Sequence, residues 1–250
     1  MLNLLLIGDS CIDQYYIGTC DRLSPEAPVP VIKIIDSYTT KGMAANVFEN
    51  LKSLGIEADF ITNAQKITKT RYIDERSKQH LLRVDDEPDI VPWSGRITTN
   101  VNSYDAIVIS DYNKGFLTYD HIVNIRKEFS GMIFIDTKKP DLAKFEGCFI
   151  KINALEHSQA TSFPEGVPSG LIVTMGKQGA KYNGTVYPSA SVEVVDVCGA
   201  GDTFLASLVY EYLNTRSIEM AIKFANKASA VTVTHTGVYA PSKEEIAGMM

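Results

Sequence analysis

The seven residues from Asp196 to Asp202, D-V-C-G-A-G-D, form the pattern in this chain that could most directly do chemistry. The run that follows them, Thr203 to Leu213, carries apolar side chains at helical period. The spacing therefore places Gly199, Ala200 and Gly201 at a helix N-terminus, where free backbone N–H groups and the helix dipole favour an anion such as a phosphate. Asp202 would be a carboxylate beside that anion, which suits a general base during phosphoryl transfer to a hydroxyl.

This pattern alone leaves a second interpretation open. Glycines before a helix often form only a tight turn, and an aspartate in the first helical turn is favoured for capping. The chain contains neither G-x-x-x-x-G-K-[ST] nor G-x-G-x-x-G, so any phosphate chemistry here would use a different cradle.

Apolar strands that alternate with helices must position this loop. They predict a parallel, doubly wound α/β sheet with helices on both faces. Polar residues follow the ends of the expected strands, and ligands on such sheets bind at the carboxyl ends. These residues are Asp9, Asp111, Asp136, Asn153 and Thr174.

Two β-rich segments, about 14–35 and 69–85, do not fit that sheet. We expect them to form a small β lid inserted into a single domain spanning residues 1–250. The Asn183-Gly184 pair predicts a tight hairpin turn. Helices are expected over Gly42–Leu54, Val91–Ser103, Thr118–Phe129 and Ile218–Thr234.

Composition narrows the class of protein. The 250 residues are 45% hydrophobic, enough for a sizeable core, and the net charge of −6 argues against a nucleic-acid partner. The apolar run Leu2 to Ile7 is too short for a membrane span or a signal peptide, so no membrane association is expected. The four cysteines have no C-x-x-C spacing, which favours free thiols and a cytoplasmic location.

D-V-C-G-A-G-D resembles the D-T-x-G-A-G-D signature of the ribokinase-like (PfkB) sugar kinases, with Val197 and Cys198 as departures. The resemblance covers about residues 3 to 247. It implies a ribokinase-like fold, the cofactors ATP and Mg²⁺, and transfer of the γ-phosphate to a sugar hydroxyl. Within the family, the similarity is greatest to kinases that phosphorylate heptose 7-phosphate at C1. Further matching stretches are Gly8–Tyr15, Arg22–Val31 (R-L-S-P-E-A-P-V-P-V), Ser110–Gly115, Asn153–Glu156 and Ala225–Gly237.

The resemblance also implies roles for single residues. Asp202 would be the catalytic base, and Gly199, Ala200 and Gly201 would form the anion hole. The sugar would be bound by Asp13, Gly42 and Asn46. The nucleotide would be contacted by Asn153, Thr174, Gly176, Gly179, Asn226 and Gly237, and Glu156 would organise Mg²⁺ and its waters.

An anionic substrate needs cations near its phosphate, and the candidates are Lys69, Arg71, Arg83 and Lys114. The alternative for the first three is a solvated hairpin face. Asp13 could instead be a turn residue, and Asn46 a packed polar side chain. Asn153 could simply be an N-cap with Glu156 as its capping-box partner.

Two departures from the family pattern bear on function. Met43 stands where the family has a glycine, which puts a side chain where close backbone approach is expected. The segment from Ile61 to Lys69 is short, where relatives carry a further helix and strand.

The resemblance also implies a homodimer through the lid. A kinase for another sugar and a non-catalytic binding protein of the same fold remain alternatives.

Overall fold

The computed structural model describes residues 2–165 and 170–249. In that part of the chain, none of the helices is both long enough and apolar enough to cross a bilayer. The strands are β1 (Asn3–Gly8), β2 (Ser10–Leu23), β3 (Pro30–Met43), β4 (Glu57–Thr62), β5 (Ile67–Asp74), β6 (His80–Asp86), β7 (Ala106–Asp111), β8 (Met132–Thr137), β9 (Phe149–Asn153), β10 (Leu171–Thr174), β11 (Ala180–Tyr182) and β12 (Thr185–Tyr187). The helices are α1 (Ala44–Ser53), α2 (Tyr119–Glu128), α3 (Ala154–Gln159), α4 (Ala200–Thr215), α5 (Ile218–Thr232) and α6 (Lys243–Gly248).

Within the described residues, the main sheet has eight strands in the order β12-β11-β10-β9-β8-β7-β1-β4. The strands from β10 to β4 are parallel, and β11 and β12 add an antiparallel edge. On β1, Leu4 and Leu6 pack into the core shared with α1, α4 and α5, while Leu5 and Ile7 pack into the core shared with α2. Burial on both faces explains the continuous apolar runs of the central strands and confirms the doubly wound α/β prediction.

The second sheet, in the part of the chain that the structure describes, has four strands in the order β3-β2-β5-β6 and contains both expected lid segments. β2 and β3 each have 14 residues and together extend beyond the expected segment 14–35 at both ends. The β2/β3 and β5/β6 hairpins are antiparallel, and a parallel pairing of β2 with β5 joins them. That residues 1–250 form a single domain stays a prediction.

The expected helix over Val91–Ser103 is wrong. This segment has no α-helix and forms only a 3₁₀ turn at Val101–Ser103. Gly95 has φ of 75°, which interrupts a right-handed helix, and the backbone N–H of Trp93 donates to the carbonyl of Phe116 at 2.8 Å. A long-range backbone contact therefore overrides the local pattern here.

Other local predictions are confirmed with small shifts in their bounds. The β11/β12 hairpin turns at Asn183 and Gly184, both with positive φ (46° and 80°), as a type I′ turn requires. Thr118 caps α2, whose start was expected there. α4 begins at Ala200, three residues before the expected Thr203, so the glycine-rich loop itself forms the first helical turn.

Candidate active site

Asp202 lies in the first turn of α4 with a buried carboxylate, 4% exposed. Its Oδ2 accepts a hydrogen bond from Asn46 Nδ2 at 2.8 Å, and its Oδ1 accepts one from the Tyr112 hydroxyl at 2.7 Å. Burial raises the pKa of Asp202 to about 6, although both hydrogen bonds act in the opposite direction. A carboxylate with such a pKa is ionised at neutral pH and more basic than an exposed one, which suits a general base.

The N-terminus of α4 is the candidate anion hole, and its role stays a prediction. Gly199 is the N-cap residue and has φ of 77°, a conformation that glycine adopts without strain. A Cβ at this position would lie 2.7 Å from Asn46 Nδ2, so the absence of a side chain lets Asn46 reach the base. The N–H of Ala200 donates to the carbonyl of Val197 at 3.4 Å. The other N–H groups of the first turn lack intrahelical partners, which favours an anion at this helix end.

A small cavity of about 160 Å³ opens beside this helix end. Asp13, Gly42, Lys69, Arg71, Gly199 and Asp202, which the sequence predicts for catalysis or for the sugar, all line it. Arg83 also lines the cavity, and it pairs with Asp85 at 2.7 Å. The structure thus brings the predicted base, Gly199 of the predicted anion hole and three of the four cation candidates to one cavity.

Arg71 and Asp13 form an ion pair at 2.5 Å within this cavity, and both side chains are buried. The Arg71 guanidinium also lies 5.2 Å from the ring centroid of Tyr15. Gly42 is required next to this pair, because a Cβ there would lie 2.2 Å from Asp13 Oδ2. Arg71 is therefore not on a solvated hairpin face.

Lys69 and Lys114 share a partner at the rim of the site. Glu87 lies 3.8 Å from Lys69 Nζ and 2.6 Å from Lys114 Nζ. Lys114 is not among the described residues that line the cavity and is linked to it only through Glu87. A contact of Lys114 with a substrate phosphate stays a prediction.

A second cavity, of about 390 Å³, lies on the other side of the glycine-rich loop. This volume is within the range of roughly 300–1,000 Å³ that is common for small-molecule sites. Ala200 from α4, Ser229 and Val233 from the end of α5, and Gly176 after β10 line it. It is the candidate nucleotide site.

Three other residues predicted for the nucleotide make hydrogen bonds to protein groups. Asn226 Nδ2 donates to the carbonyl of Tyr187 at 2.8 Å, just before the lining residue Ser189. Gly237 N–H donates to Asp196 Oδ2 at 2.9 Å, and Thr174 Oγ1 donates to the carbonyl of Ile152 at 3.3 Å.

Gly179 is a turn residue with φ of 89°, where a Cβ would lie 2.0 Å from the carbonyl oxygen of Tyr187. The geometry therefore gives it a backbone role. For Thr174, Gly179, Asn226 and Gly237, direct contact with a nucleotide stays a prediction.

Asn153 and Glu156 form the capping box that the sequence left open. Asn153 Oδ1 accepts from the N–H of Glu156 at 2.9 Å, and Glu156 Oε2 accepts from the N–H of Asn153 at 2.7 Å. The second oxygen of Glu156 pairs with Lys138. No group of three or more metal-ligating side chains occurs in residues 2–165 and 170–249. With Glu156 as the candidate ligand, the site fits a Mg²⁺ ion that would be held mainly by phosphate oxygens and water, with Glu156 contacting the water shell.

Tyr112 is a site residue that the sequence analysis missed. Its hydroxyl donates to the base, and its backbone N–H donates to Asp9 Oδ2 at 2.8 Å. Asp9 is buried directly after β1, so a carboxylate at a strand end fixes the segment that carries Tyr112. The signal was present in the S-D-Y-N-K-G stretch, where only Lys114 was considered.

The class of protein follows from this architecture. The fold is that of the ribokinase-like proteins: a ribokinase from Thermotoga maritima superposes with a TM-score of 0.73 at 16% identity, covering 100% of this chain and 99% of that chain. Phosphofructokinase-2 from Escherichia coli, in complex with potassium, gives 0.75 at 13% identity, with 100% and 98% covered. An Arabidopsis thaliana ribokinase, solved with ribose and ATP, gives 0.69 at 13% identity, with 100% and 99% covered.

The sequence comparisons identify the family. Residues 141–245 match the family described as pfkB family carbohydrate kinase. A bifunctional protein HldE from Aliarcobacter butzleri (strain RM4018) is 32% identical over 301 residues, which cover 98% of this chain and 63% of that protein. The HldE protein of Helicobacter pylori (strain J99) is 32% identical over 305 residues, with 99% and 66% covered. The chain therefore contains a PfkB carbohydrate kinase domain and spans less than two thirds of the length of these curated relatives.

Proposed function

We propose that this protein transfers the γ-phosphate of ATP to a sugar hydroxyl. The observation that carries the proposal is the place of one loop between two cavities. Gly199 and Asp202 line the smaller cavity, while Ala200, between them in sequence, lines the larger one. A sugar hydroxyl in the first cavity and a nucleotide in the second would meet at the N-terminus of α4.

The residues of the chain suggest the following steps. Asp202 accepts the proton of the sugar hydroxyl while the oxygen of that hydroxyl forms a bond to the γ-phosphorus of ATP. The bond from the γ-phosphorus to the departing ADP oxygen breaks in the same step. The N–H groups from Gly199 to Gly201 hold the transferring group as charge develops on its oxygens. The four-stranded sheet covers the smaller cavity and would exclude water, which would otherwise compete as the acceptor.

Mg²⁺ would be organised by Glu156 and, when bound, would neutralise part of the phosphate charge. Glu156 is held by the N–H of Asn153 and by Lys138, so it would act through water unless Lys138 moves away.

The proposed acceptor is C1 of D-glycero-D-manno-heptose 7-phosphate. Relatives that cover nearly the whole chain are named HldE, and the resemblance implies this sugar. Lys69, Arg71 and Arg83 add cationic side chains to the smaller cavity, as a phosphorylated sugar requires. We also propose a cytoplasmic location, where ATP is available as the donor.

We also propose that the protein is a homodimer through the four-stranded sheet. This sheet exposes apolar side chains to solvent, among them Leu23 (64%), Ile35 (49%) and Leu82 (56%). An exposed apolar surface of this kind is typical of an interaction site.

The proposal is tested by ADP release from ATP and Mg²⁺ with a panel of acceptors: heptose 7-phosphate, sedoheptulose 7-phosphate, fructose 6-phosphate, ribose and fructose. We expect turnover with heptose 7-phosphate, and its loss in Asp202→Asn, which keeps the shape of the side chain but cannot act as the base. Turnover confined to another sugar would contradict the proposed acceptor. Binding of ATP without ADP release in the presence of any of these acceptors would contradict the proposed kinase activity and favour a non-catalytic binding protein.

A further inference from the structure

Lys151 is a buried lysine between two apolar residues of a central strand. It lies in β9 with 5% of its surface exposed. Its neighbours Ile150 and Ile152 belong to the core on the α2 side of the sheet, so alternation along the strand places Lys151 on the opposite face, with α4. Burial of an ammonium group is costly, and an apolar pair would often be at least as stable as a buried ion pair. The position therefore calls for a functional reason.

The ammonium group of Lys151 reaches the anion hole. A Cβ built on Gly201 would lie 2.9 Å from Lys151 Nζ, which means that any side chain at residue 201 would crowd this group. Gly201 thus serves a second purpose beside backbone approach, since it leaves room for a cation at the first turn of α4. The same charge acts on Asp202, where Lys151 lowers the pKa and Asp136 raises it.

Asp136 holds Lys151 in this position. The two residues are register partners on β8 and β9, and Lys151 Nζ donates to Asp136 Oδ2 at 2.6 Å. Both side chains are about 6% exposed. An ammonium group has three N–H donors, and the described contacts with other side chains use one of them. The remaining donors are free for an anion at the helix end.

We propose that Lys151 is a catalytic residue that binds the transferring phosphoryl group at the N-terminus of α4, and that Asp136 is its positioning residue. This inference rests on the proposed phosphoryl transfer. The ammonium group stabilises the negative charge that spreads over the phosphoryl oxygens in the transition state, where a fixed donor in a dry site is most effective. It supplies charge that a neutral helix end cannot.

The test compares Lys151→Met with the double variant Lys151→Met/Asp136→Asn, which leaves no buried unpaired carboxylate. We expect kcat to fall by about 10²–10³-fold in both, the usual loss for one such donor, with a small change in the KM for ATP. Lys151→Arg should recover part of the rate. Lys144→Met is the matched control, because Lys144 is half exposed and contacts Asp141 and the ring of Tyr119 rather than the candidate site.

A binding measurement separates this role from a merely structural one. Thermal unfolding is followed with ADP, Mg²⁺ and heptose 7-phosphate, with and without aluminium fluoride, which mimics the transferring phosphoryl group. The wild type should gain stability on adding aluminium fluoride, and the double variant should respond to ADP but lose this further gain. A folded double variant that keeps the gain and the wild-type kcat overturns the inference, as does a wild type without the gain. A wild type that shows the gain but turns over no sugar contradicts the proposed function and leaves the Lys151 contact supported.

Discussion

At the scale of the residue, Asp202 owes its ionisation to the few groups around its carboxylate. Burial raises its pKa to about 6, while the donors Asn46 and Tyr112 and the charge of Lys151 limit the rise and Asp136 adds to it. A general base works only when deprotonated, so activity must fall as the pH drops through this pKa. We expect kcat/KM to fall about tenfold per pH unit below about pH 6 and to be constant above it. The pH–rate profile measures this, and a flat profile down to pH 5 would contradict it.

Tyr112→Phe tests whether the tyrosine hydroxyl tunes the base. The variant removes a donor to the charged carboxylate at 2.7 Å, so the pKa of Asp202 should rise. The acid limb should then move to higher pH by about one unit, the size expected for one hydrogen bond to a charged group. Ionisation of the substrate phosphate affects both proteins equally and drops out of the comparison.

Tyr119→Phe is the matched control for that experiment. The Tyr119 hydroxyl accepts from the N–H of Asp141, and the Tyr119 ring stacks on Phe145 rather than contacting the base. Its profile should match the wild type. An acid limb that stays in place in Tyr112→Phe would show that the tyrosine does not set the pKa of the base.

At the scale of the element, Met43 joins β3 to α1 in a strained conformation. Its φ of 57° and ψ of −135° are typical of glycine, the residue that the family pattern has here. Its side chain is buried in a small cluster with Cys11 and Ile67, against which Tyr112 packs. The side chain therefore fills a gap beneath the site, and it also lines the smaller cavity without closing it.

The strain at Met43 predicts an unusual order of stability. Met43→Gly and Met43→Ala both lose the buried side chain, but only glycine relieves the backbone strain, which costs about 1–3 kcal/mol. We expect the glycine variant to have the larger free energy of unfolding, by about 1 kcal/mol or more. Urea unfolding of the two variants measures the difference. A more stable alanine variant would show that the backbone at residue 43 is not strained.

The elements also show what local sequence can predict. Periodic apolar runs located β1, β7, β8, α2 and α5, and Asn183-Gly184 located a hairpin, because these signals are contained in a few adjacent residues. The helix prediction for Val91–Ser103 was wrong because the backbone hydrogen bond from Trp93 to Phe116, a residue far along the chain, decides the structure of this segment. The lengths of β2 and β3 were missed because their outer halves are exposed and lack the alternation that marks a half-buried strand.

At the scale of the whole molecule, the four-stranded sheet is the expected interface between two copies of the chain. Ile35→Glu combined with Leu82→Glu places charges on its exposed apolar surface, where desolvation opposes association. Sedimentation should show a dimer for the wild type and a monomer for this variant. Val186→Glu, on the edge of the main sheet and equally exposed, should leave the dimer intact. A monomeric wild type would contradict the proposed assembly.

The site is a property of the whole molecule, which limits what the sequence could show. The glycine-rich loop and Asp202 form one local signal and were found from it. Tyr112 reaches the same point from the end of β7, and Lys151 reaches it from within β9, both far away in sequence. The local sequence around Lys151 does not mark it as a site residue. The contrast between Arg71, buried in the cavity, and Lys114, outside it, also depends on pairings that only the folded chain reveals.

The most direct test of the account is a single-turnover measurement of phosphate transfer from γ-labelled ATP to heptose 7-phosphate. Wild type and Asp202→Asn are compared, both saturated with the two ligands, whose binding is measured separately. We expect both proteins to bind ATP and sugar, and transfer by the variant to be slower by roughly 10²–10⁴-fold, since a placed general base is lost. Transfer by Asp202→Asn at the wild-type rate would contradict the central claim that Asp202, at the junction of the two cavities, is the base.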